Sequence, residues 1–372
     1  MKKRVVITKY QNKILMLFLY DDKCIKIRAI DSIYDYSGSV FLGRVEKVLN
    51  NIDACFVRYK NTSMYLKGSK YKPETVIPVM LKKETDSNKK DEVTDEISIS
   101  GLYVVVNKSI NGVRFSSRIK DKSNINTENL NNVIVRQNAS YTNTQSIINE
   151  YKYLSSILEN IYEAKDKRTD NSVLYEGLPD LLSILFSEDI CNYDSILTDI
   201  DEVFMLINDF INIYKSKGID ININLEKYSD KMVPLSAFIS LSSKLERATG
   251  RIVYLKSDAY ITIDKTEALT VIDVNSGTTT FKGDKASVIH SINIEAAREV
   301  VLQLKLRNIS GIIIVDFINE QKTEYKDELI KIIKEELKND DQGAKCYGLT
   351  KLGLVEISRK RRSKSLKEQL WT

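Results

Sequence analysis

The chain has 372 residues, of which 42% are hydrophobic and four are proline, and its formal net charge is +5. This length and composition are typical of a globular protein of more than one domain and exclude a disordered chain. The small positive charge permits an anionic partner such as a nucleic acid but does not require one. No window of about 18 apolar residues occurs, and the start lacks a signal-peptide pattern. We therefore predict a soluble, cytoplasmic protein without a membrane segment.

In the first half of the chain, the hydrophobic pattern has mainly the two-residue period of strands. Residues 1–33 alternate in short segments and predict a β-meander, and residues 37–59 predict further strands. Residues 82–95 are polar and charged and predict a loop. Strands are expected again over residues 97–107 and 132–139.

The second half of the chain has the longer period of helices between its strands. Apolar residues near 3.6-residue spacing predict a helix over residues 142–165, and residues 174–217 mix a strand with helices. From residue 260 onward two strands precede a helix at 287–308, a strand at 312–318, a helix at 323–338 and a strand at 353–358. This β-β-α-β-α-β order predicts an α/β domain.

Cysteine and histidine usage excludes several kinds of site. Cys24, Cys55, Cys191 and Cys346 are far apart and form no CxxC pair, so we expect neither a structural zinc nor a disulfide framework. His290 is the only histidine, and we interpret it as a helix-surface or core residue. A single histidine excludes phosphodiester cleavage by a His–His acid–base pair. A phosphodiesterase with this sequence would need a metal ion.

Two predicted strands each carry an aspartate among apolar residues: Asp273 in "EALTVIDVNSG" and Asp316 in "GIIIVDFIN". One helix joins these strands, so they are expected to be parallel neighbours whose carboxyl ends form a site. Two neighbouring carboxylates repel each other unless a cation lies between them, and Mg²⁺ is commonly held by one or two carboxylates. Asn275 points the same way and would position water or a phosphate oxygen. The alternative is that both aspartates cap turns or pair with arginines.

Several segments resemble the ribonuclease E/G family of bacterial endoribonucleases. The segments "IDKTEALTVIDVNSG", "INIEAAREVVLQLKLRNISGIIIVDFI" and "GLVEISRKR" are similar to its signature blocks in order and spacing. The segment "GSVFLGRVEKVLNNIDACFVRY" resembles the opening strands of its S1-type RNA-binding barrel, and "GLYVVV", "GVRFSSRI" and "VIVR" resemble its 5′-sensor. The resemblance covers almost the whole chain.

The resemblance implies an α+β multidomain protein. An RNase H-like fold would be interrupted by an S1-type OB barrel and a 5′-sensor, and an α/β DNase I-like catalytic domain would follow. The implied boundaries are 1–35 (first segment of the RNase H-like fold), 36–98 (S1-type OB-fold RNA-binding domain), 99–180 (5′-sensor region), 181–248 (second segment of the RNase H-like fold) and 249–372 (DNase I-like catalytic domain).

The resemblance also implies an activity, namely magnesium-dependent cleavage of single-stranded, AU-rich RNA in RNA processing and mRNA decay. A preference for 5′-monophosphorylated substrates is expected. Asp273 and Asp316 match the family's metal-binding, catalytic aspartates, and Asn275 matches the asparagine beside them.

Three residues of the barrel region match RNA-contacting positions of the family, and a basic run later in the chain adds a further candidate. In the barrel, Phe56 and Tyr65 match two base-stacking aromatics, and Lys89 matches a lysine that contacts RNA. The alternative for Phe56 is a place in the barrel core. In the basic run "RKRRSK", Arg359 is expected to contact RNA phosphates. The alternative for the residues beyond Arg361 is a solvated terminus.

In the sensor, Gly101 and Val105 match backbone contributors, and Arg136 matches the arginine that binds the substrate's terminal phosphate. The chain has Gln137 where the family usually has threonine, and only Arg118 where it often has two arginines. Monophosphate sensing is therefore either weaker here or lost.

Two expectations concern partners and rival functions. Because the family's CPxC zinc-link is absent, we expect a monomer or weak homodimer rather than a zinc-linked tetramer. The rival functions are a non-catalytic RNA-binding protein on the same scaffold and a metal-dependent phosphodiesterase that acts on DNA. An intact metal-binding pair favours an enzyme over the binding protein.

Overall fold

A computed structural model describes residues 2–34, 37–68, 70–83, 90–119, 121–278, 284–338 and 340–371. The strands are β1 (Lys3–Tyr10), β2 (Lys13–Tyr20), β3 (Lys23–Ile30), β4 (Val40–Leu49), β5 (Ala54–Tyr59), β6 (Thr62–Lys67), β7 (Val76–Lys83), β8 (Glu92–Thr94), β9 (Ser98–Ser100), β10 (Val104–Asn107), β11 (Val113–Phe115), β12 (Val133–Val135), β13 (Val173–Tyr175), β14 (Ser195–Thr198), β15 (Asn224–Lys227), β16 (Ile252–Tyr254), β17 (Tyr260–Lys265), β18 (Leu269–Asn275), β19 (Gly311–Asp316), β20 (Lys345–Leu349) and β21 (Val355–Arg359). The helices are α1 (Thr144–Lys165), α2 (Asp180–Ser187), α3 (Asp201–Ser216), α4 (Leu235–Phe238), α5 (Leu241–Thr249), α6 (Lys285–Leu306), α7 (Thr323–Leu337) and α8 (Leu366–Trp371).

The chain divides into two compact units. The first comprises Met1–Asp31, Leu197–Ile200 and Lys227–Thr372, and the second comprises Ser32–Ile196 and Asp201–Glu226. This division is coarser than the five predicted segments, whose boundaries stay a prediction. Because the first unit is built from three separate stretches, the second unit is an insertion within it.

The first unit begins with the predicted meander. Strands β1, β2 and β3 are antiparallel neighbours in a sheet of order β15-β14-β1-β2-β3. Leu15 and Leu17 on β2 are fully buried, and they belong to a core that also contains Leu245 on α5 and Leu366 and Leu370 on α8. Helix α8 therefore packs into this core through Leu366 and Leu370, and for these two residues the alternative of a solvated terminus beyond Arg361 is wrong.

A six-stranded sheet of order β16-β17-β18-β19-β21-β20 forms the rest of the first unit. Strands β18 and β19 are parallel and joined by α6, which confirms the predicted βαβ unit. Residues with even numbers on β18, such as Ile272, are buried in one core with α6 and α7. Residues with odd numbers point to the opposite face, where Val271 is exposed. The structure adds β16 and β20, which the sequence pattern did not predict.

The second unit contains a closed five-stranded barrel. Its strands follow the order β4-β5-β6-β8-β7, and pairing of β4 with β7 closes the sheet. Inward residues such as Val45, Val57 and Leu66 form the barrel core. A closed barrel of this size is compatible with the predicted S1-type OB fold. The RNase H-like and DNase I-like assignments stay predictions.

A second sheet of this unit has the order β11-β12-β10-β9, and α1 packs against it. The strands expected over residues 97–107 are β9 and β10, which are antiparallel neighbours. The turn between them, Gly101–Tyr103, is the segment that the sequence assigned to the 5′-sensor. No helix among the described residues is long and apolar enough to cross a membrane.

Candidate active site and nucleic-acid contacts

The two predicted metal-binding aspartates are direct neighbours across two parallel strands. Asp273 on β18 is the register partner of Asp316 on β19, and each lies at or near the carboxyl end of its strand. Their sequence neighbours Ile272, Val274 and Val315 are buried against α6 and α7. Because successive residues of a strand point to opposite faces, the two aspartate side chains point away from these helices. Asp273 is partly buried and Asp316 is exposed. The register therefore places two carboxylates side by side on an open sheet face, on neighbouring strands that are about 5 Å apart.

Asn275 completes this group. Its Nδ2 donates a hydrogen bond to Asp273 Oδ2 at 2.7 Å. Within the residue ranges that the structure describes, neither aspartate pairs with an arginine, and Asp316 makes no hydrogen bond. The described residues also contain no group of three or more His, Cys, Asp or Glu side chains that could hold a metal. The site is thus a two-carboxylate site with one amide beside it.

The segment that follows Asp316 is tied to α6. Asn293 Nδ2 donates to the Ile318 carbonyl at 2.7 Å, and Asn293 Oδ1 accepts from the Ile318 N–H at 3.1 Å. The same Nδ2 lies 2.8 Å from Glu320 Oε1, and Glu320 in turn contacts His290 Nδ1 at 3.2 Å. These bonds fix the backbone directly after the aspartate.

His290 thus has a more specific place than the sequence predicted. Its ring stacks on Tyr325 with centroids 4.1 Å apart, and its Nε2 lies 3.2 Å from Glu328 Oε2. It therefore joins α6 to α7 and to the segment after β19 through polar contacts, and it is neither a free surface residue nor an apolar core residue.

On the barrel, Phe56 and Tyr65 form a cross-strand pair on the outer face. They are register partners on β5 and β6, with ring centroids 6.3 Å apart at 71°. Phe56 is partly exposed, whereas its neighbours Cys55 and Val57 are in the core, so the alternative of a core Phe56 is wrong. Lys90 Nζ lies 4.2 Å from the Phe56 centroid. An aromatic pair with a cation over one ring suits a stacked base and its phosphate.

Lys89 lies outside the described residues. The neighbouring Lys90 is exposed and donates to Ser63 Oγ at 3.1 Å. Lys90 is therefore the described lysine closest in sequence to the position that the resemblance indicated.

The predicted 5′-sensor residues meet at the turn between β9 and β10. Arg136 Nη1 donates to the Gly101 carbonyl at 3.1 Å, while the Gly101 N–H donates to the Val104 carbonyl at 2.8 Å. Val105 is partly buried on β10. Burial lowers the pKa of Arg136, and the nearby charge of Arg118 lowers it further, but an arginine stays charged at neutral pH. The Arg136 guanidinium therefore lies beside this turn, where the charges of Glu150 and Arg118 act on it in opposite directions.

The two positions of the sensor that differ from the family pattern, Gln137 and Arg118, both have hydrogen-bond partners nearby. Gln137 Nε2 lies 3.3 Å from Asp189 Oδ2, and Arg118 Nη2 donates to the Ser187 carbonyl at 3.1 Å. The amide of Gln137 is thus directed to a carboxylate.

A buried carboxylate that the sequence analysis missed organises this turn. Glu150 on α1 is fully buried; its Oε1 accepts from the Leu102 N–H, and its Oε2 accepts from the Tyr103 and Val104 N–H groups, all at 2.7 Å. A Cβ at Gly101 would lie 2.6 Å from the Glu150 carboxyl carbon, so only glycine allows this close approach. Burial raises the pKa of Glu150 to about 7, although the three backbone hydrogen bonds oppose the rise.

Arg359 has a different role from the predicted RNA contact. Its side chain is fully buried, and it bonds Asp340 at 2.9 Å, Asp341 at 3.0 Å and the Ile309 carbonyl at 2.8 Å. A guanidinium with these partners holds the end of β21 to the segment after α7. It is not available at the surface for a phosphate.

The sequence matches a known family over most of its length. The sequence model described as "Ribonuclease E/G family" matches residues 98–362. The chain belongs to the ribonuclease E/G family. It is 27% identical to ribonuclease E of a Nostoc species over 396 aligned positions, covering 99% of this chain and 57% of that protein. It is 26% identical to ribonuclease G of Escherichia coli, covering 90% of this chain and 74% of that protein. The chain thus spans little more than half of the first relative.

The residues that sequence reasoning missed share one signal. Glu150 and Asn293 are polar residues on the apolar faces of long helices, next to Ile147 and Leu154 on α1 and to Ile292 and Ala296 on α6. A polar side chain on a buried face needs hydrogen-bond partners, so its position marks a built contact. The sequence did not say which backbone groups it would reach.

Proposed function

We propose that this chain is a magnesium-dependent endoribonuclease that cleaves single-stranded RNA. The observation that carries the proposal is the register pairing of Asp273 with Asp316 on an open sheet face, with the Asn275 amide directed at Asp273. Membership of a family whose relatives are named ribonuclease E and ribonuclease G supports the choice of RNA.

The donor set fits magnesium better than zinc. Mg²⁺ is usually held by one or two carboxylates and keeps several waters, whereas zinc sites use three or four Cys, His or carboxylate ligands. Asp273 and Asp316 would hold the ion, and Asn275 would orient one Asp273 oxygen. A bound Mg²⁺ would supply charge stabilisation at the scissile phosphate and lower the pKa of a water nucleophile.

The rest of the chain contributes binding. Phe56 and Tyr65 would stack bases, and Lys90 would add a phosphate contact. Arg136 would hold a 5′-phosphate beside the turn that Glu150 organises, which would give a preference for 5′-monophosphorylated ends that is weaker than in relatives with the usual threonine. Stacking reads base identity weakly, which suits a preference for AU-rich, unpaired RNA rather than for one sequence.

The test is cleavage of a 5′-monophosphorylated, AU-rich RNA oligonucleotide with Mg²⁺ and with chelator, beside DNA of the same sequence. The variants are Asp316→Asn and, as matched control, Glu356→Gln, which removes another exposed carboxylate of the same sheet. We expect the wild type and the control to cut RNA only with Mg²⁺, and Asp316→Asn to leave it whole.

Other outcomes distinguish the rival functions. RNA that binds but stays whole with every protein would contradict the enzyme and favour a binding scaffold. Equal cleavage of DNA would contradict RNA as the substrate. Equal rates on 5′-hydroxyl and 5′-monophosphate RNA would remove the sensing role of Arg136 and leave the nuclease intact.

A further inference from the structure

Two tyrosines lie on the same open sheet face as the aspartate pair. Tyr254 on β16 is the register partner of Tyr260 on β17, and Tyr260 is the register partner of Asn275 on β18. Their neighbours Val253 and Ile261 are buried on the helix side. Successive residues of a strand point to opposite faces, so both tyrosines share the face of Asp273 and Asp316.

The register places these rings close to the reacting centre. One row across the strands contains Tyr254, Tyr260 and Asn275, and the adjacent row contains Asp273 and Asp316. Neighbouring strands are about 5 Å apart, so Tyr260 lies one strand spacing from Asn275 and Tyr254 lies two. A base is joined to its phosphate through a single sugar. A nucleotide whose phosphate lies at the aspartates can therefore place its base on these rings.

The rings present usable surface. Tyr254 is 68% exposed, Tyr260 is partly exposed, and their centroids are 6.0 Å apart at 56°. Among the described residues neither phenol oxygen has a hydrogen-bond partner. A cross-strand aromatic pair of this kind stabilises a sheet only modestly. Because most of the Tyr254 side chain is exposed, its burial also contributes little to the stability of the fold. An exposed aromatic face beside a phosphodiester-cleaving site is the feature that base stacking uses.

The hairpin that carries the tyrosines is fixed to the end of β18. Gly277, two residues beyond Asn275, has φ +58°, and a Cβ there would lie 2.3 Å from the Asp258 carbonyl oxygen. Asp258 lies in the turn between β16 and β17. Only glycine permits this approach of the two backbones. The distance from the rings to Asn275 is therefore set by backbone packing.

We propose that Tyr254 and Tyr260 form a platform on which a base of single-stranded RNA, in a nucleotide adjoining the scissile phosphate, stacks during cleavage. This platform rests on the proposed endoribonuclease function, and it adds a base contact at the site of cleavage to the stacking on the barrel. It would determine which phosphate of a bound RNA is cut.

The test uses an RNA oligonucleotide with one mapped cut site and a set of versions that carry an abasic ribose at each position around it. The variants are Tyr254→Ala and Tyr260→Ala, with Tyr254→Phe and Tyr260→Phe to retain the rings. Tyr347→Ala is the matched control, because Tyr347 is 65% exposed on β20 at the opposite edge of the same sheet. kcat/KM and cut position are measured for each pair.

We expect the alanine variants to lose about 5- to 150-fold in kcat/KM, and the phenylalanine variants and Tyr347→Ala to stay within about twofold of wild type. One abasic position should cost the wild type a similar factor and cost the alanine variants nothing more. Additive losses from ring and base would overturn the platform, as would alanine variants that behave like Tyr347→Ala.

A second readout does not depend on cleavage. With Asp316→Asn, which should bind RNA without cutting it, 2-aminopurine at the sensitive position should lose fluorescence on binding as it stacks. Adding Tyr254→Ala or Tyr260→Ala should restore the fluorescence, and unchanged quenching would overturn the platform. If the wild type cuts RNA but these effects are missing, only the platform is wrong. If the wild type cuts no RNA, the proposed function is wrong and the platform falls with it.

Discussion

The carboxylates of this protein occupy two opposite environments. Glu150 is fully buried, and its two oxygens accept three backbone N–H groups at 2.7 Å. Asp273 and Asp316 lie on an open sheet face, and among the described residues one amide, that of Asn275, is their hydrogen-bond partner. The fold thus gives Glu150 three hydrogen-bond donors and gives the aspartate pair one.

This difference indicates that Glu150 contributes to the stability of the fold, whereas the aspartate pair is available for the proposed reaction. A buried carboxylate with several donors holds backbone in place, and removing it leaves those donors unpaired. Two like charges side by side with few partners repel each other, and the proposed Mg²⁺ would relieve that repulsion. We therefore expect a substitution in the aspartate pair to lower RNA cleavage, and a substitution of Glu150 to lower the free energy of unfolding.

The largest effect is expected at the exposed pair. Asp316→Asn should lower the RNA cleavage rate about 1,000-fold, because it removes one of two groups that would hold Mg²⁺. The free energy of unfolding should change by less than about 0.5 kcal/mol, since the side chain is exposed. Cleavage assays and urea unfolding of the same preparation measure both. A loss of stability comparable to the loss of activity would break the comparison.

Substitution of Glu150 should have the reverse effect, which is a large loss of stability and a small change in cleavage. Glu150→Gln places an amide NH₂ against backbone N–H donors, so the free energy of unfolding should fall by about 3 kcal/mol. Preference for 5′-monophosphate over 5′-hydroxyl RNA should fall too, because the turn that holds Gly101 loosens, whereas cleavage of 5′-hydroxyl RNA should change little. The matched control is Glu159→Gln, on the exposed side of the same helix. An unfolding curve of Glu150→Gln that overlays the control would contradict the assigned role.

The pH dependence of stability sharpens the same contrast. The pKa of Glu150 is raised from 4.5 to about 7 by burial, so its contribution to stability is full below pH 4.5 and is lost as pH rises through about 7. Relative to Glu150→Gln, the wild type should lose about 2 kcal/mol between about pH 5.5 and 7.5. Urea unfolding followed by circular dichroism at several pH values measures this difference. A difference that is flat across this range would show that the carboxyl keeps its ordinary pKa.

The smallest effect is expected on the barrel, where the exposed group is a ring rather than a charge. Phe56→Ala should weaken binding of an uncut RNA to Asp316→Asn protein by about 1–3 kcal/mol, and Phe56→Tyr should retain binding. Lys90→Gln should lower the salt dependence of log Kd by about one charge. Fluorescence anisotropy over a range of salt concentrations measures both. Identical binding by Phe56→Ala would remove the barrel face from the RNA path.

The hydrophobic pattern predicts the secondary structure correctly where the period of a strand or of a helix is clear over many residues. The meander, α1, and the βαβ unit that contains α6 lie where apolar periodicity predicts them, because each buries one face or one stripe. The two aspartates could be placed together because a right-handed crossover leaves few arrangements for their strands. Short strands such as β11, β16 and β20 were not predicted, because three to five residues carry too little periodicity. The turn at Gly101 is held by a glutamate 49 residues later in the chain, a contact that no local pattern indicates.

The sequence by itself determined the long, strongly periodic elements and that Asp273 and Asp316 lie near the ends of neighbouring strands, since both follow from short-range periodicity and chain connectivity. Only the tertiary structure decided how side-chain charges are used. Arg359 belongs to a basic run yet bonds two aspartates in the interior, while Glu150 lies on the apolar face of a helix and accepts hydrogen bonds from three backbone N–H groups. The physical reason is that the free energy of a charged group depends on the donors, acceptors and water around it, and long-range packing sets these.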